Sequence, residues 1–260
     1  MISSKSNPKI AHIRALLTQR KARAEAGEFV IEGVRLVEDA EDSGYLPNLI
    51  LFTQGISPRG KDLLIRLESS GCNVEEIPDE LMSSLSDTET SQGILAVVPF
   101  PNIPTVDPLT FIVVADSIRD PGNIGTLLRS AAAAGAEMFI LTPGTTDPFA
   151  PKVVRSAMGA HFRLPIREYN WSDIRSEVVK NASVPLKFFL ADMHGESLWE
   201  ADFTKPLALI IGGEAEGASS EGRGLADTTV SIPMPGGAES LNAAVAGSIL
   251  LFEILRQRQK

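Results

Sequence analysis

The stretch Phe111-Ile112-Val113-Val114-Ala115-Asp116-Ser117-Ile118-Arg119-Asp120-Pro121-Gly122-Asn123-Ile124-Gly125 decides the fold. Its first five residues are apolar without alternation, as in a strand buried on both faces of a parallel sheet. A polar turn follows, then a helix from about Asn123 to Ala134 whose small, apolar residues are interrupted by one charge, Arg129. Working outward, Met138–Leu141, Leu186–Leu190 and Leu207–Ile211 read as further apolar strands. The last element is a helix from about Ser240 to Gln257, in which Leu241, Val245, Ile249, Phe252 and Leu255 mark one buried stripe. Arg256, Arg258 and Lys260 suit its C-terminal end. Alternating strands and helices of this kind predict an α/β fold with a parallel sheet covered on both faces.

Upstream, Pro99, Pro101, Pro104 and Pro108 fall within ten residues and neither a helix nor a central strand can carry them. They mark a stiff linker over 99–108 between an N-terminal domain, 1–98, and a C-terminal domain, 109–260. The N-terminal domain alternates short elements: strands at Phe29–Ile31, Leu49–Phe52 and Gly93–Val98, helices at Gly33–Ala40 and Lys61–Ser69, and a third helix opened by Pro78. A small α/β sandwich is expected there.

The composition narrows the function. With 43% hydrophobic and 22% charged residues the chain is globular, and no run reaches the roughly 18 uncharged apolar residues of a membrane span. No apolar stretch precedes a small-residue cleavage site, so a cytoplasmic protein is expected. A single cysteine, Cys72, excludes a disulfide framework. The three histidines, His12, His161 and His194, lack metal-ligand spacing, so no metal is expected. The net charge of −9 opposes loose capture of a polyanion. Yet residues 1–24 carry six basic side chains and no acid, enough to grip phosphates locally.

Parallel sheets bind ligands beyond the carboxyl ends of their strands, and three loops at such ends stand out. The first, Asp116 to Gly125, enters a helix and could hold an anion, but its spacing is not the dinucleotide fingerprint. The second is Gly212-Gly213-Glu214-Ala215-Glu216-Gly217, where glycines admit a close ligand and Glu214 is the first acid. The third runs from Ser231 through Ile232, Met234 and Ser240 to Asn242, offering N–H groups and short polar side chains. Plain structural readings stand beside these. Asn123 and Ser240 could be helix caps, Arg129 an ion-pair member, Glu214 a solvated turn acid, and Ile232 and Leu241 core.

The three loops together resemble the three motifs of the SpoU/TrmH family of RNA ribose 2′-O-methyltransferases, within the SPOUT superfamily. The matches are Asp120-Pro121-Gly122-Asn123-Ile124-Gly125 through Arg129, then Gly212 to Gly217, then Ile232-Pro233-Met234 with Glu239-Ser240-Leu241-Asn242. Ser156 to Pro165 is similar to a further family stretch. Phe29 to Val37 and Ser91 to Val98 are similar to the family's ribosomal-protein-like substrate-binding domain. Many members carry asparagine where Gly213 stands. The resemblance implies a C-terminal parallel-sheet domain with a deep trefoil knot, S-adenosylmethionine as methyl donor, rRNA or tRNA as substrate, and a homodimer. It places Gly212, Ile232, Met234 and Leu241 against the cofactor and gives Arg129 the part of base or alkoxide stabiliser. Asn123, Glu214, Ser240 and Asn242 would fix Arg129 and the ribose phosphate. The alternative is a catalytically inert RNA-binding relative, which should have lost Asn123, Arg129 or Asn242; all three are present.

Overall fold

The computed structural model describes residues 2–86, 91–180, 183–214 and 216–259, without the Lys180 side chain. Ala215 and Lys260, read above as motif and helix-end residues, lie outside the described residues. In chain order the elements are α1 (Pro8–Thr18), α2 (Arg20–Ala26), β1 (Glu28–Glu32), α3 (Val34–Asp42), β2 (Leu49–Phe52), α4 (Pro58–Ser69), β3 (Val74–Glu76), α5 (Asp79–Ser83) and β4 (Ile94–Pro99). They continue as β5 (Phe111–Asp116), α6 (Pro121–Ala133), β6 (Met138–Leu141), α7 (Pro151–Ala157), β7 (Ile166–Glu168) and α8 (Trp171–Asp173), which runs on as a π-helical Ile174–Lys180. Last come β8 (Lys187–Ser197), β9 (Leu207–Gly212), α9 (Ser220–Leu225), β10 (Thr228–Ser231) and α10 (Ala243–Arg258). These residues form two compact units: Met1–Asn102 with Asp147–Phe162, and Ile103–Thr146 with Arg163–Lys260.

The first unit is built on a four-stranded sheet of order β1-β4-β2-β3, in which β4 runs antiparallel to β1 and β2, and β3 parallel to β2. The period of two divides its residues between two cores. Phe29, Ile31, Ile50, Ala96 and Val98 join Val37 of α3 and Leu63 of α4. Val30, Leu51, Leu95 and Val97 join Ile10, Ile13 and Leu16 of α1. This is the expected α/β sandwich, with an added edge strand. Val74-Glu75-Glu76 carries no apolar run to announce β3, and its Glu75 carboxylate accepts from Lys9 Nζ at 2.5 Å.

Two structural findings revise the linear reading of the chain. The basic start folds as α1 and α2, and Arg23 is buried there, donating through Nε to Asp147 Oδ2 at 2.8 Å and through Nη1 to the Leu16 carbonyl. Arg23 and Lys9 are therefore committed internally rather than to a polyanion. The segment Asp147–Phe162, which lies inside the stretch read as C-terminal domain, belongs to the first unit. Its Phe149 stacks on Phe100 of the proline-rich linker, with ring centroids 4.1 Å apart, so the start of that linker is packed rather than free.

His161 on this segment is buried and donates from Nε2 to the Pro148 carbonyl at 2.7 Å, with its ring 5.7 Å from Phe29. Burial lowers its pKa to about 4, against smaller upward effects of the Pro148 carbonyl and Asp147. The unfolded chain titrates near 6.5 and so binds the proton more tightly than the fold does. Stability is complete above the unfolded value and falls as pH drops from about 6.5 towards 4, by on the order of 3 kcal/mol. His161→Gln keeps a donor for Pro148 but does not titrate. Urea unfolding between pH 7 and 4 should show the wild type losing about that much more than the variant. Parallel pH curves would refute this account.

The second unit holds a six-stranded sheet of order β10-β8-β9-β5-β6-β7, with every neighbouring pair parallel. The unbroken apolar strands thus sit where they were expected. One face carries Ile112, Val114, Ile140, Ala208 and Ile210, against Ile174, Val178 and Ala218. α6 and α10 lie together, joined by Ser130 Oγ and Ser248 Oγ at 2.7 Å.

The stripe expected on the last helix is corrected. α10 begins at Ala243, and it buries Ala243, Ala244, Gly247, Leu250, Leu251 and Ile254. Leu241, Val245 and Phe252 are exposed at 37%, 48% and 49%, and Ile249 and Leu255 are only half-buried. Both faces of this helix are apolar, so periodicity alone could not choose between them. Close approach decides. A Cβ on Gly247 would collide with Leu127 of α6 and lie 2.7 Å from Ile211 Cδ1, so the small-residue face seats on the unit and the bulky one is left outside.

Candidate active site

Three loops meet beyond the carboxyl ends of β5, β9 and β10, and each is positioned locally. The β5 loop enters α6 through Asp120, whose Oδ1 accepts from Asn123 N at 2.9 Å, with Pro121 in the first turn. The cap is thus Asp120, which leaves the buried Asn123 side chain free for another task. The β10 loop enters α10 through Asn242, whose Oδ1 accepts from Ala244 N at 3.0 Å and Val245 N at 3.2 Å. The β9 loop is pinched by Gly217 N donating to Gly213 O at 3.0 Å.

One hydrogen-bond chain links all three. Asn242 Nδ2 donates to Asn123 Oδ1 at 2.9 Å, and Asn123 Nδ2 donates to Glu214 Oε1. Four of the residues expected in the chemistry are thereby accounted for as follows: Glu214, Asn123 and Asn242 are joined, and Ser240 is exposed beside them on the β10 loop. Arg129 is exposed on α6, and among the described residues no hydrogen bond or ion pair joins it to Asn123, Glu214, Ser240 or Asn242.

Beside this chain lies an open cleft of about 560 Å³ whose walls include Gly212, Glu214, Ile232, Met234, Ser240, Leu241 and Asn242. All four residues expected to hold a cofactor therefore line one cavity. Its floor is backbone. A Cβ on Gly212 would land on the Gly217 and Ala218 main chain, and one on Gly213 would lie 2.7 Å from Ser117 O. The second distance explains why glycine stands at 213, where a larger side chain has no room. Ile211, Val230, Ala246 and Leu250 add apolar wall. The volume and lining suit an organic cofactor of nucleoside size, and no group of acids, histidines and cysteines able to hold a metal occurs among the described residues.

Sequence reasoning missed two features. Asp116, fully buried at the end of β5, accepts from Ser219 N at 2.6 Å and Thr142 Oγ1 at 2.9 Å, and so ties three loops beneath the cleft. Asp192, at the cleft wall, pairs with Arg223 Nη1 at 2.7 Å and accepts from His194 N at 3.1 Å. Burial works to raise the Asp192 pKa, but the Arg223 hydrogen bond, the His194 N–H and the nearby positive charge outweigh it and hold the carboxyl below its usual range. The signal available was position: Asp192 follows the apolar run Leu186–Leu190, at the same sheet edge as the other loops.

Fold and site together define a protein of the α/β class with a cleft floored by backbone and walled by apolar side chains, and an amide–carboxylate chain at its rim. The chain belongs to the SpoU rRNA methylase family, whose model matches residues 110–252; a second model, the MRM3-like substrate binding domain, matches residues 7–96. It is 35% identical to the 23S rRNA (uridine(2479)-2'-O)-methyltransferase of Streptomyces viridochromogenes, over 97% of this chain and 91% of that one. It is 31% identical to the 23S rRNA (guanosine(2553)-2'-O)-methyltransferase of Bacillus subtilis, over 97% and 98%. Among solved structures it resembles the SpoU methyltransferase AviRb of Streptomyces viridochromogenes in complex with the cofactor AdoMet, with TM-score 0.85, 33% identity and coverage of 97% and 99%. An AdoMet-bound rRNA methyltransferase from Sinorhizobium meliloti matches with TM-score 0.86 and 32% identity over 98% and 97%.

Proposed function

We propose that this chain transfers a methyl group from S-adenosylmethionine to a ribose 2′-hydroxyl of ribosomal RNA in the cytoplasm, working as a homodimer with the trefoil knot of its family. The observation that carries the reading is the Glu214–Asn123–Asn242 chain at the rim of a glycine-floored cleft. The residues fit the cofactor: Gly212 leaves a cradle that a Cβ would fill, while Ile232, Met234 and Leu241 supply apolar walls. The cofactor, when bound, supplies a methyl group on a cationic sulfur.

What the protein must add is placement and a route for the hydroxyl proton. Placement can contribute roughly 7–11 kcal/mol, and acid–base assistance about 10²–10⁴ in rate. Asn123, Glu214 and Asn242 fix the acceptor side of the cleft, with Ser240 offering a hydroxyl to the ribose phosphate. Arg129 takes the proton, or its guanidinium stabilises the forming alkoxide while the proton passes to water at the open cleft. A guanidinium keeps its charge in proteins, so charge stabilisation asks less of it. The first unit presents the RNA, as the match to a substrate-binding domain supports. The homodimer is supported by the uncovered apolar face of α10, with Val245 and Phe252 half exposed.

The test uses calorimetric titration with S-adenosylmethionine, then incubation with total ribosomal RNA and methyl-labelled cofactor. Micromolar binding and label recovered as alkali-resistant 2′-O-methyl ribose are the expected results. Binding without any transfer to ribose would restore the inert RNA-binding relative.

A further inference from the structure

We infer that the Asp192–Arg223 ion pair is the receptor for the amino-acid end of the cofactor, and so selects S-adenosyl amino acids over simple thioether nucleosides. The inference rests on the proposed use of the cleft. S-adenosylmethionine carries two chemically opposite ends. A nucleoside suits the apolar wall of Ile211, Ile232, Leu241 and Leu250; an α-amino acid zwitterion does not, and burying it unpaired is costly. Among the described lining residues Arg223 is the only arginine or lysine, and it stands against Asp192. The two together present one positive and one negative group to the same cavity, the complement of an ammonium and a carboxylate on one α-carbon.

Capacity remains on both partners. Asp192 uses Oδ2 for Arg223 and Oδ1 for His194 N, and a carboxylate offers about four acceptor sites. Arg223 carries five N–H donors and its side chain is 47% exposed, whereas Asp192 is held at 14%. The anion is therefore anchored and the cation partly open to a ligand.

The surrounding backbone is arranged to place this pair. β10 pairs with β8 at Thr229 and Leu190, then resumes at Val230 and Glu196, so Ala191–Gly195 has no partner on β10 beside the cleft. Such irregularities commonly re-aim side chains beside sites. On the other wall, Gly217 has φ +67°, and a Cβ there would lie 2.9 Å from Arg223 Nη2, so glycine keeps the guanidinium's position open. α9, which carries Arg223, is fixed through Ser219 N to the buried Asp116 at 2.6 Å.

S-adenosylhomocysteine and 5′-methylthioadenosine test the inference, because both are neutral thioethers and differ only in the amino-acid extension. Calorimetry on the full-length wild type, Arg223→Met and Asp192→Asn gives each affinity. Each variant should weaken S-adenosylhomocysteine by at least about tenfold while leaving 5′-methylthioadenosine within about twofold. A pair that merely clips β8 to α9 would weaken both ligands alike, and a pair outside the ligand would weaken neither; either result overturns the inference. A wild type that binds neither ligand would overturn the cofactor reading and this inference with it, and is thereby distinguished from failure at the pair alone.

Discussion

Gly212→Ala is expected to reduce affinity for S-adenosylmethionine by more than about a hundredfold and to remove turnover with it. The position is held from both sides. Gly212 is the last residue of β9 and pairs with Asp116 of β5, whose carboxylate is itself bound by Ser219. The new methyl group would fall on the Gly217 and Ala218 main chain, with Gly217 O at 2.7 Å, and no flexible side-chain end is there to give way. Either the strand end or the Gly213–Gly217 pinch must move, and both form the cavity floor. Overpacking of this kind costs about 1–3 kcal/mol in stability, which a unit with a six-stranded buried sheet should survive. Gly224→Ala in α9 is the matched control, since a Cβ there meets nothing within 4 Å, and it should bind as the wild type does. Calorimetry and Tm on both variants check this. Unchanged affinity in a folded Gly212→Ala would show that the glycine cradle is not the cofactor's floor.

Much of the second unit was legible because its information is local. Phe111–Asp116 followed by Pro121–Ala133 is a buried strand, a capped turn and a helix, and each step is announced within a few residues. Two loops of the site were legible for the same reason, since they follow the apolar strands β5 and β9, whereas the third follows Thr228-Thr229-Val230-Ser231, which carries no apolar run. What was not legible depends on pairings far apart in sequence. Asp192 and Arg223 come together from β8 and α9, beside the point where β8 slips its register against β10. Arg23 reads in sequence as one of six basic side chains open to phosphates, and its partner Asp147 stands 124 residues away. The face that α10 buries is settled by Gly247 against Leu127 and Ile211, a contact that no periodicity within the helix contains. Resemblance to a family is what grouped Glu214, Asn123 and Asn242; spacing alone left Asn123 and Glu214 with a structural reading.

Arg129→Ala should lower kcat by about 10²–10⁴ with cofactor affinity unchanged, and Arg129→Lys should recover little of it, because a lysine keeps the charge but not the planar fork. Near-normal turnover of the lysine variant would sink any role specific to the guanidinium. The harder question is whose site this arginine serves. It is exposed on α6, outside the Glu214–Asn123–Asn242 chain of its own subunit. Its neighbour Ser130 is bonded to Ser248 of α10, and the loop residues Ser240 and Leu241 at the cleft rim lead into α10, whose outward face carries Val245 and Phe252. The uncovered apolar face thus begins within two turns of the cleft rim. In the proposed homodimer, a second copy covering that face would border the rim of the cleft. Mixing the two defective proteins, Arg129→Ala and Gly212→Ala, after unfolding and refolding together discriminates the cases. If Arg129 acts in its own subunit, every site in the mixture carries a defect and activity stays at the sum of the parents. If it acts across the dimer, each mixed pair holds one site with both components intact, and random pairing restores about a quarter of wild-type turnover.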